Sequence, residues 1–142
     1  MNLLDVNVLV ALFRPEHEFH TAASAWWAES MARGEALTVP DAVWVGFIRL
    51  VTNSRVFSEA ASLADAGAFQ DAVEAQPSYL SFRLHPRTMA EMRRLGAQAS
   101  ARGDFVSDAY IAACASVYGG TVVTFDRDFR KFDGVKVLEL AV

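Results

Sequence analysis

Leu3-Leu4-Asp5-Val6-Asn7-Val8-Leu9 sets a carboxylate in the middle of an apolar run, and the reading of that run decides the rest of the chain. It is a poor leader or membrane segment. No basic residue precedes it, Asp5 and Asn7 interrupt it, and no apolar stretch approaches the roughly 18 to 20 uninterrupted residues needed to span a bilayer. Read as a strand, Asn2 to Asp5, running into a short helix, Val6 to Phe13, that stops near Pro15, it opens an alternation that continues to the end. Further strands are expected at Ala36 to Val39, Tyr79 to Leu84, Thr121 to Phe125 and Lys136 to Leu140. Helices are expected at Glu18 to Arg33, Asp41 to Thr52, Ala60 to Ala75, Thr88 to Arg102 and Ser107 to Tyr118, several of them closed by Gly34, Gly103 or Gly119. Short β-like runs alternating with longer helical ones predict a parallel sheet covered by helices.

The chain has 142 residues, 53% of them apolar, which suits a single domain over 1–142 with one core. The single Cys114 lies in an apolar helical stretch, so a Cys-cluster metal site is excluded and a reducing, cytoplasmic setting is expected. The net charge of −4 gives no overall nucleic-acid footprint, so any RNA contact must come from a local basic patch. All basic residues but Lys131 and Lys136 are arginine, a side chain suited to bidentate phosphate contacts. Arg127 and Arg130 beside Asp126, and Arg14 after the first helix, are the RNA-binding candidates.

In an open α/β sheet, ligands gather outside the carboxyl ends of the strands. Asp5 closes the first strand, Asp126 follows Thr121-Val122-Val123-Thr124-Phe125, and Asp108 begins an apolar helix. Each has a plain structural alternative: Asp5 and Asp126 as helix caps, Asp108 as an acid in a first turn. Together they could converge on one edge. Clustered carboxylates without cysteine favour Mg²⁺ or Mn²⁺ over Zn²⁺, and such ions serve phosphodiester hydrolysis. Glu16, His17, Glu18 and His20 at the second helix start read better as surface polar residues than as a metal site, although a histidine there could touch RNA at the rim. Trp26 and Trp27 cannot both face inward on one helix, so one is expected in the core and the other at an interface.

Three blocks, Leu3 to Leu9, Ser107-Asp108-Ala109-Tyr110-Ile111-Ala112-Ala113-Cys114-Ala115 and Thr124-Phe125-Asp126-Arg127-Asp128-Phe129, resemble in order and spacing the signature blocks of PIN domains of the VapC toxin type. Phe47 to Phe57 resembles a further block of one branch of that family. The resemblance implies a three-layer α/β/α sandwich, Mg²⁺- or Mn²⁺-dependent endoribonuclease activity and a VapB-type antitoxin as partner. It also implies Asp5, Asp108 and Asp126 as catalytic metal ligands, with Asn7 and Thr124 as polar supports. With Trp26 and Trp27, it motivates the expectation of a homodimer.

The sequence departs from the family at its second acid, usually a glutamate on the helix after the second strand. The aligned position is read as Trp44, with Asp41 the nearest carboxylate that could substitute, and Asp128 a further acid near Asp126. Two other readings follow. One is a PIN-fold module that docks an antitoxin or RNA without efficient cleavage. The other is a phosphotransfer enzyme with Asp5 as nucleophile, which fits poorly because Asn7 stands two residues on.

Overall fold

The structure, a computed structural model, describes residues 1–141. The elements run β1 (Asn2–Leu4), α1 (Val6–Phe13), α2 (His20–Ala32), β2 (Leu37–Thr38), α3 (Asp41–Val51), α4 (Leu63–Glu74), α5 (Thr88–Gln98), α6 (Phe105–Ser116), β3 (Thr121–Thr124), a 3₁₀ turn (Arg127–Lys131) and β4 (Lys136–Glu139). The four strands form a parallel sheet in the order β2-β1-β3-β4, the centre of a three-layer α/β/α sandwich. Leu3 and Leu4 of β1 and Val122 and Val123 of β3 are fully buried, as central parallel strands require. Leu4 pairs with Val123 and Thr124 with Glu139, so Asp5 and the residues after Thr124 leave the sheet at the same edge. Helix α1 packs on β3, α2 and α3, while α6 packs on β3 and α5.

The expected strand at Tyr79 to Leu84 does not form. Leu37 N–H donates to Ser78 O (3.1 Å) and Leu80 N–H to Leu37 O (2.8 Å), giving one parallel bridge between Leu37 and Tyr79. The Thr38 hydroxyl then takes the Leu80 carbonyl at 2.6 Å, so the acceptor for the next rung is occupied and the chain turns out to solvent. Helix ends shift for similarly local reasons. Ser62 accepts from Asp65 N–H at 3.0 Å and starts α4 at Leu63. Ser100, at φ 54°, breaks the backbone after α5, which therefore ends at Gln98 and not near Arg102.

Trp44 does not face the sheet edge. It is 3% exposed, donates its indole N–H to the Tyr79 hydroxyl (3.4 Å), and meets Phe47 and Phe69 edge-on at 5.8 and 6.3 Å. On α3, Val43, Trp44, Phe47 and Val51 form the core stripe, whereas Gly46 lies against the side chain of Val6. Trp44 and Gly46 are two residues apart, about 200° around the helix, so both cannot face α1. Trp26 and Trp27 do not divide between core and surface either: both are half-buried and packed against the core, with their rings 6.4 Å apart.

Candidate active site at the sheet edge

Asp5 follows β1 in extended backbone, donates its own N–H to Val123 O (3.0 Å) and caps α1. It is 5% exposed, and each carboxylate oxygen has a donor: Oδ1 accepts from Val6 N–H at 2.7 Å, and Oδ2 from the Thr124 hydroxyl at 2.7 Å. Thr124 is fully buried and joins three residues through one oxygen, since that hydroxyl also accepts from Asn7 Nδ2 (3.2 Å) and from Asp126 N–H (2.9 Å). Asn7 closes the ring by accepting from Phe125 N–H at 3.2 Å. Asp126 in turn caps the 3₁₀ turn, its Oδ1 accepting from Asp128 N–H at 2.8 Å. The capping alternatives for Asp5 and Asp126 are therefore both realised, and both acids still face a common space.

That space is a cavity of about 300 Å³ into which Asp5, Asn7, Asp108 and Asp126 converge, with Val10, Leu50 and Phe57 among its apolar walls and His17 also lining it. Asp108 arrives on the first turn of α6, two residues further into the helix than expected because α6 begins at Phe105. Its carboxyl is pushed up from 3.8 to about 7, first by burial and then by the negative charges of Asp5, Asp126, Asp128 and Asp104. Burial also raises the Asp5 carboxyl, against the lowering pull of its bonds from Thr124 and Val6. Every charge acting on Asp108 is negative, so a bound cation would favour its ionised form. All the donors are hard oxygens, which suits Mg²⁺ or Mn²⁺. Among the described residues no three Asp, Glu, His or Cys side chains stand close enough together to hold a metal ion between them. An ion that keeps several waters and takes few carboxylates is the kind that fits.

The other candidates divide. Asn7 and Thr124 belong to the network. Helix α3 contributes Leu50 to the cavity and no carboxylate, and Asp41 is an exposed first-turn acid after Pro40, not among the lining residues. The Asp128 side chain is exposed and pairs with Lys131 at 3.2 Å; it acts on the site through its charge on Asp108, and its backbone N–H through the bond to Asp126. Arg14 is not a surface RNA ligand: it is buried, donates to Glu59 O (2.8 Å) and Val51 O (3.2 Å), and covers the Phe57 ring at 4.4 Å. Arg130 is exposed but engaged in a two-pronged bond to Glu139 (2.6 and 2.9 Å). Arg127 is the freer of the two, 3.9 Å from the same carboxylate. The sequence reading missed Phe57 and Leu50 as cavity walls; it took the His17 cluster for surface polar residues while allowing a histidine there to touch RNA at the rim, and His17 lines the cavity.

The PIN-domain family model matches residues 3–135. The chain is 41% identical over 136 residues to ribonuclease VapC25 of Mycobacterium tuberculosis, covering 96% of each, and 36% identical over 132 residues to ribonuclease VapC43 of the same organism, covering 93% of this chain and 90% of that one. In fold it is similar to VapBC2 from Rickettsia felis bound to a promoter DNA fragment (TM-score 0.73, 12% identity, 99% and 98% of the two chains). It is also similar to VapC20 of Mycobacterium tuberculosis, a sarcin-ricin loop cleaving toxin (TM-score 0.71, 17% identity, 95% and 96%).

Proposed function

The chain belongs to the PIN-domain family, and from that premise we propose that it is a divalent-metal-dependent endoribonuclease, the toxin of a toxin–antitoxin pair, working through Asp5, Asp108 and Asp126. The observation that carries this reading is the convergence of the three carboxylates on one cavity at the carboxyl edge of the sheet, with no arginine or lysine among the residues lining it. The metal is Mg²⁺ or Mn²⁺. Bound there, it would neutralise charge on the phosphodiester and favour ionisation of the attacking water.

The chain's own residues do the positioning. Val6 N–H and the Thr124 hydroxyl fix both oxygens of Asp5, and Asp128 N–H fixes one oxygen of Asp126. Asp108, with no such tether, meets the other two from α6. The Thr124–Asn7 ring holds β1 and the start of the 3₁₀ turn at a constant spacing, which is the preorganisation an in-line displacement needs. Val10, Leu50 and Phe57 lower the local dielectric and so strengthen each charge interaction within.

The partner is a VapB-type antitoxin, a proposal supported by the VapC relatives and by the solved VapBC complex of the same fold. The protein is further proposed to be a homodimer, a reading supported by the adjacent, half-buried Trp26 and Trp27 of α2 and by the family. Light scattering tests that point. Among the described residues no helix is long and apolar enough to cross a membrane, and an RNA substrate with a reduced Cys114 suits the cytoplasm. The deciding experiment titrates Mg²⁺ and Mn²⁺ into purified protein and follows cleavage of total RNA. Wild-type activity that survives chelation, or undiminished cleavage by both Asp5→Asn and Asp108→Asn, would sink the assignment.

A further inference from the structure

His17 lies in the turn between α1 and α2, and its ring orientation is set on three sides. Its backbone N–H donates to Arg14 O at 3.0 Å. Its Nδ1 accepts the backbone N–H of Phe19 at 3.0 Å. Its ring lies 5.5 Å from that of Phe19, which stacks on Phe125 at 4.6 Å, and Phe125 is itself tied by its N–H to Asn7. The turn is anchored below by Arg14, whose guanidinium is bound to Val51 O and Glu59 O. The histidine is thus locked to the same frame as the acids, and it lines the cavity they share.

A ring nitrogen that accepts a backbone N–H carries no proton, so the proton of the neutral ring is on Nε2. Nε2 has no hydrogen-bond partner among the described residues, and it is a donor. A metal-ligating nitrogen must be bare, and the other nitrogen then carries the proton. Here that proton would point at the Phe19 N–H, so the observed bond and ligation through Nε2 exclude each other. A donor in an acid-lined cavity is otherwise most often Arg or Lys, but a cation there would pair with the carboxylates and compete with the metal. No Arg or Lys lines this cavity. A neutral N–H can bind a phosphate oxygen without doing so.

We propose that His17 is a substrate-contacting residue whose Nε2–H donates to a non-bridging oxygen of the RNA phosphate held at the Asp5, Asp108 and Asp126 cavity. The inference rests on the ribonuclease reading above and extends it to a residue on a different element. Glutamine and asparagine separate the two ring nitrogens, because glutamine places its amide N–H near the position of Nε2 and asparagine near that of Nδ1.

The test compares wild type with His17→Ala, His17→Asn and His17→Gln. Cut sites are first mapped in total RNA, and kcat/KM is then measured on a labelled oligonucleotide spanning one site. Affinity for that oligonucleotide is measured in an Asp108→Asn background, and Mn²⁺ affinity by calorimetry without RNA. His17→Ala and His17→Asn should each lose about 10- to 100-fold in kcat/KM and in RNA affinity, the range for one hydrogen bond to a charged group. His17→Gln should return to within about threefold of wild type on the same grounds, and Mn²⁺ affinity should not move. Asparagine performing as well as glutamine would reduce His17 to a space-filler and overturn the proposal. A fall in Mn²⁺ affinity that parallels the RNA loss would overturn it in favour of a metal ligand. Melting curves matched to wild type exclude misfolding, and His17→Gln, which preserves size and polarity, carries the comparison if alanine unfolds the turn. A wild-type protein that neither binds nor cleaves RNA would bring down the ribonuclease reading itself, whereas active wild type with indifferent His17 variants would bring down this inference alone.

Discussion

Replacing Asp108 by asparagine should stabilise the metal-free protein while abolishing its activity. In the folded state burial and four neighbouring negative charges push this carboxyl from 3.8 to about 7, so the folded chain holds the proton more tightly than the unfolded one. The stability linked to that proton is fully present below pH 3.8 and is lost as pH rises through about 7. A displacement of about 3 pH units corresponds to a ceiling of roughly 4 kcal/mol at about 1.4 kcal/mol each. Because Asp108 is only about half-buried, solvent screening cuts this to roughly 2 kcal/mol. Asparagine keeps the shape of the protonated acid at every pH. In a chelating buffer at pH 8, Asp108→Asn should therefore melt about 6 °C above wild type, taking about 3 °C per kcal/mol for a chain of this size. The two should converge near pH 4, and saturating Mn²⁺ should raise wild type more than the variant. Differential scanning fluorimetry across pH 4 to 8 with and without Mn²⁺ reads all of this. Equal melting temperatures at pH 8 in chelator would show that the three acids do not repel one another, and the electrostatic basis of the site would fall with them.

Thr124→Val keeps the side-chain shape but removes the oxygen shared by Asp5, Asn7 and Asp126; chemical denaturation should show a loss of about 2 to 4 kcal/mol, and cleavage should fall with it. Trp44→Glu should not improve metal binding: it puts a carboxylate among Phe47, Phe69 and Tyr79, and circular dichroism should show a protein destabilised by several kcal/mol or unfolded. Arg14→Ala should cost about 2 to 4 kcal/mol by removing the charge-assisted bonds to Val51 O and Glu59 O, measured by urea unfolding. Arg127→Ala, on an exposed side chain, should leave the melting temperature unchanged yet weaken RNA binding and flatten its salt dependence in an anisotropy titration.

The parts legible in the sequence are those whose cause is local. Val6 to Phe13 was bounded correctly because an acid before it and a proline after it are both near-neighbour signals. The β-branched run Thr121-Val122-Val123-Thr124 reads as a buried strand, and the acids at strand ends follow from the parallel topology. What escaped depends on distant partners. The Tyr79 to Leu84 strand fails because of the Thr38 hydroxyl, and Arg14 is buried because the last carbonyl of α3 and one from the segment after it take its guanidinium. His17 is tied to the site through Phe19, whose ring stacks on Phe125, more than a hundred residues away in the chain. Trp44 is a different case. The spacing of Val43, Trp44, Phe47 and Val51 is itself a core stripe, and alignment to the family's second acid overrode a helical pattern that was correct.

Asp5 and Asp126 each hold a backbone N–H at the start of a helical segment, whereas Asp108 carries no such bond. On the proposed function this difference shapes how the gene would decay. A chain that harms its own cell when unpartnered is under selection for inactivation, and the three acids offer unequal routes. Any substitution but asparagine at Asp5 or Asp126 gives up a cap worth about 0.5 to 2 kcal/mol, so the product is the more readily cleared by proteolysis and the antitoxin is left free. Substitution at Asp108 relieves repulsion and leaves a stable, silent protein with its docking surfaces intact. Inactivated copies of this gene should therefore accumulate changes at position 108, and their products should persist as sinks that sequester antitoxin from functional copies.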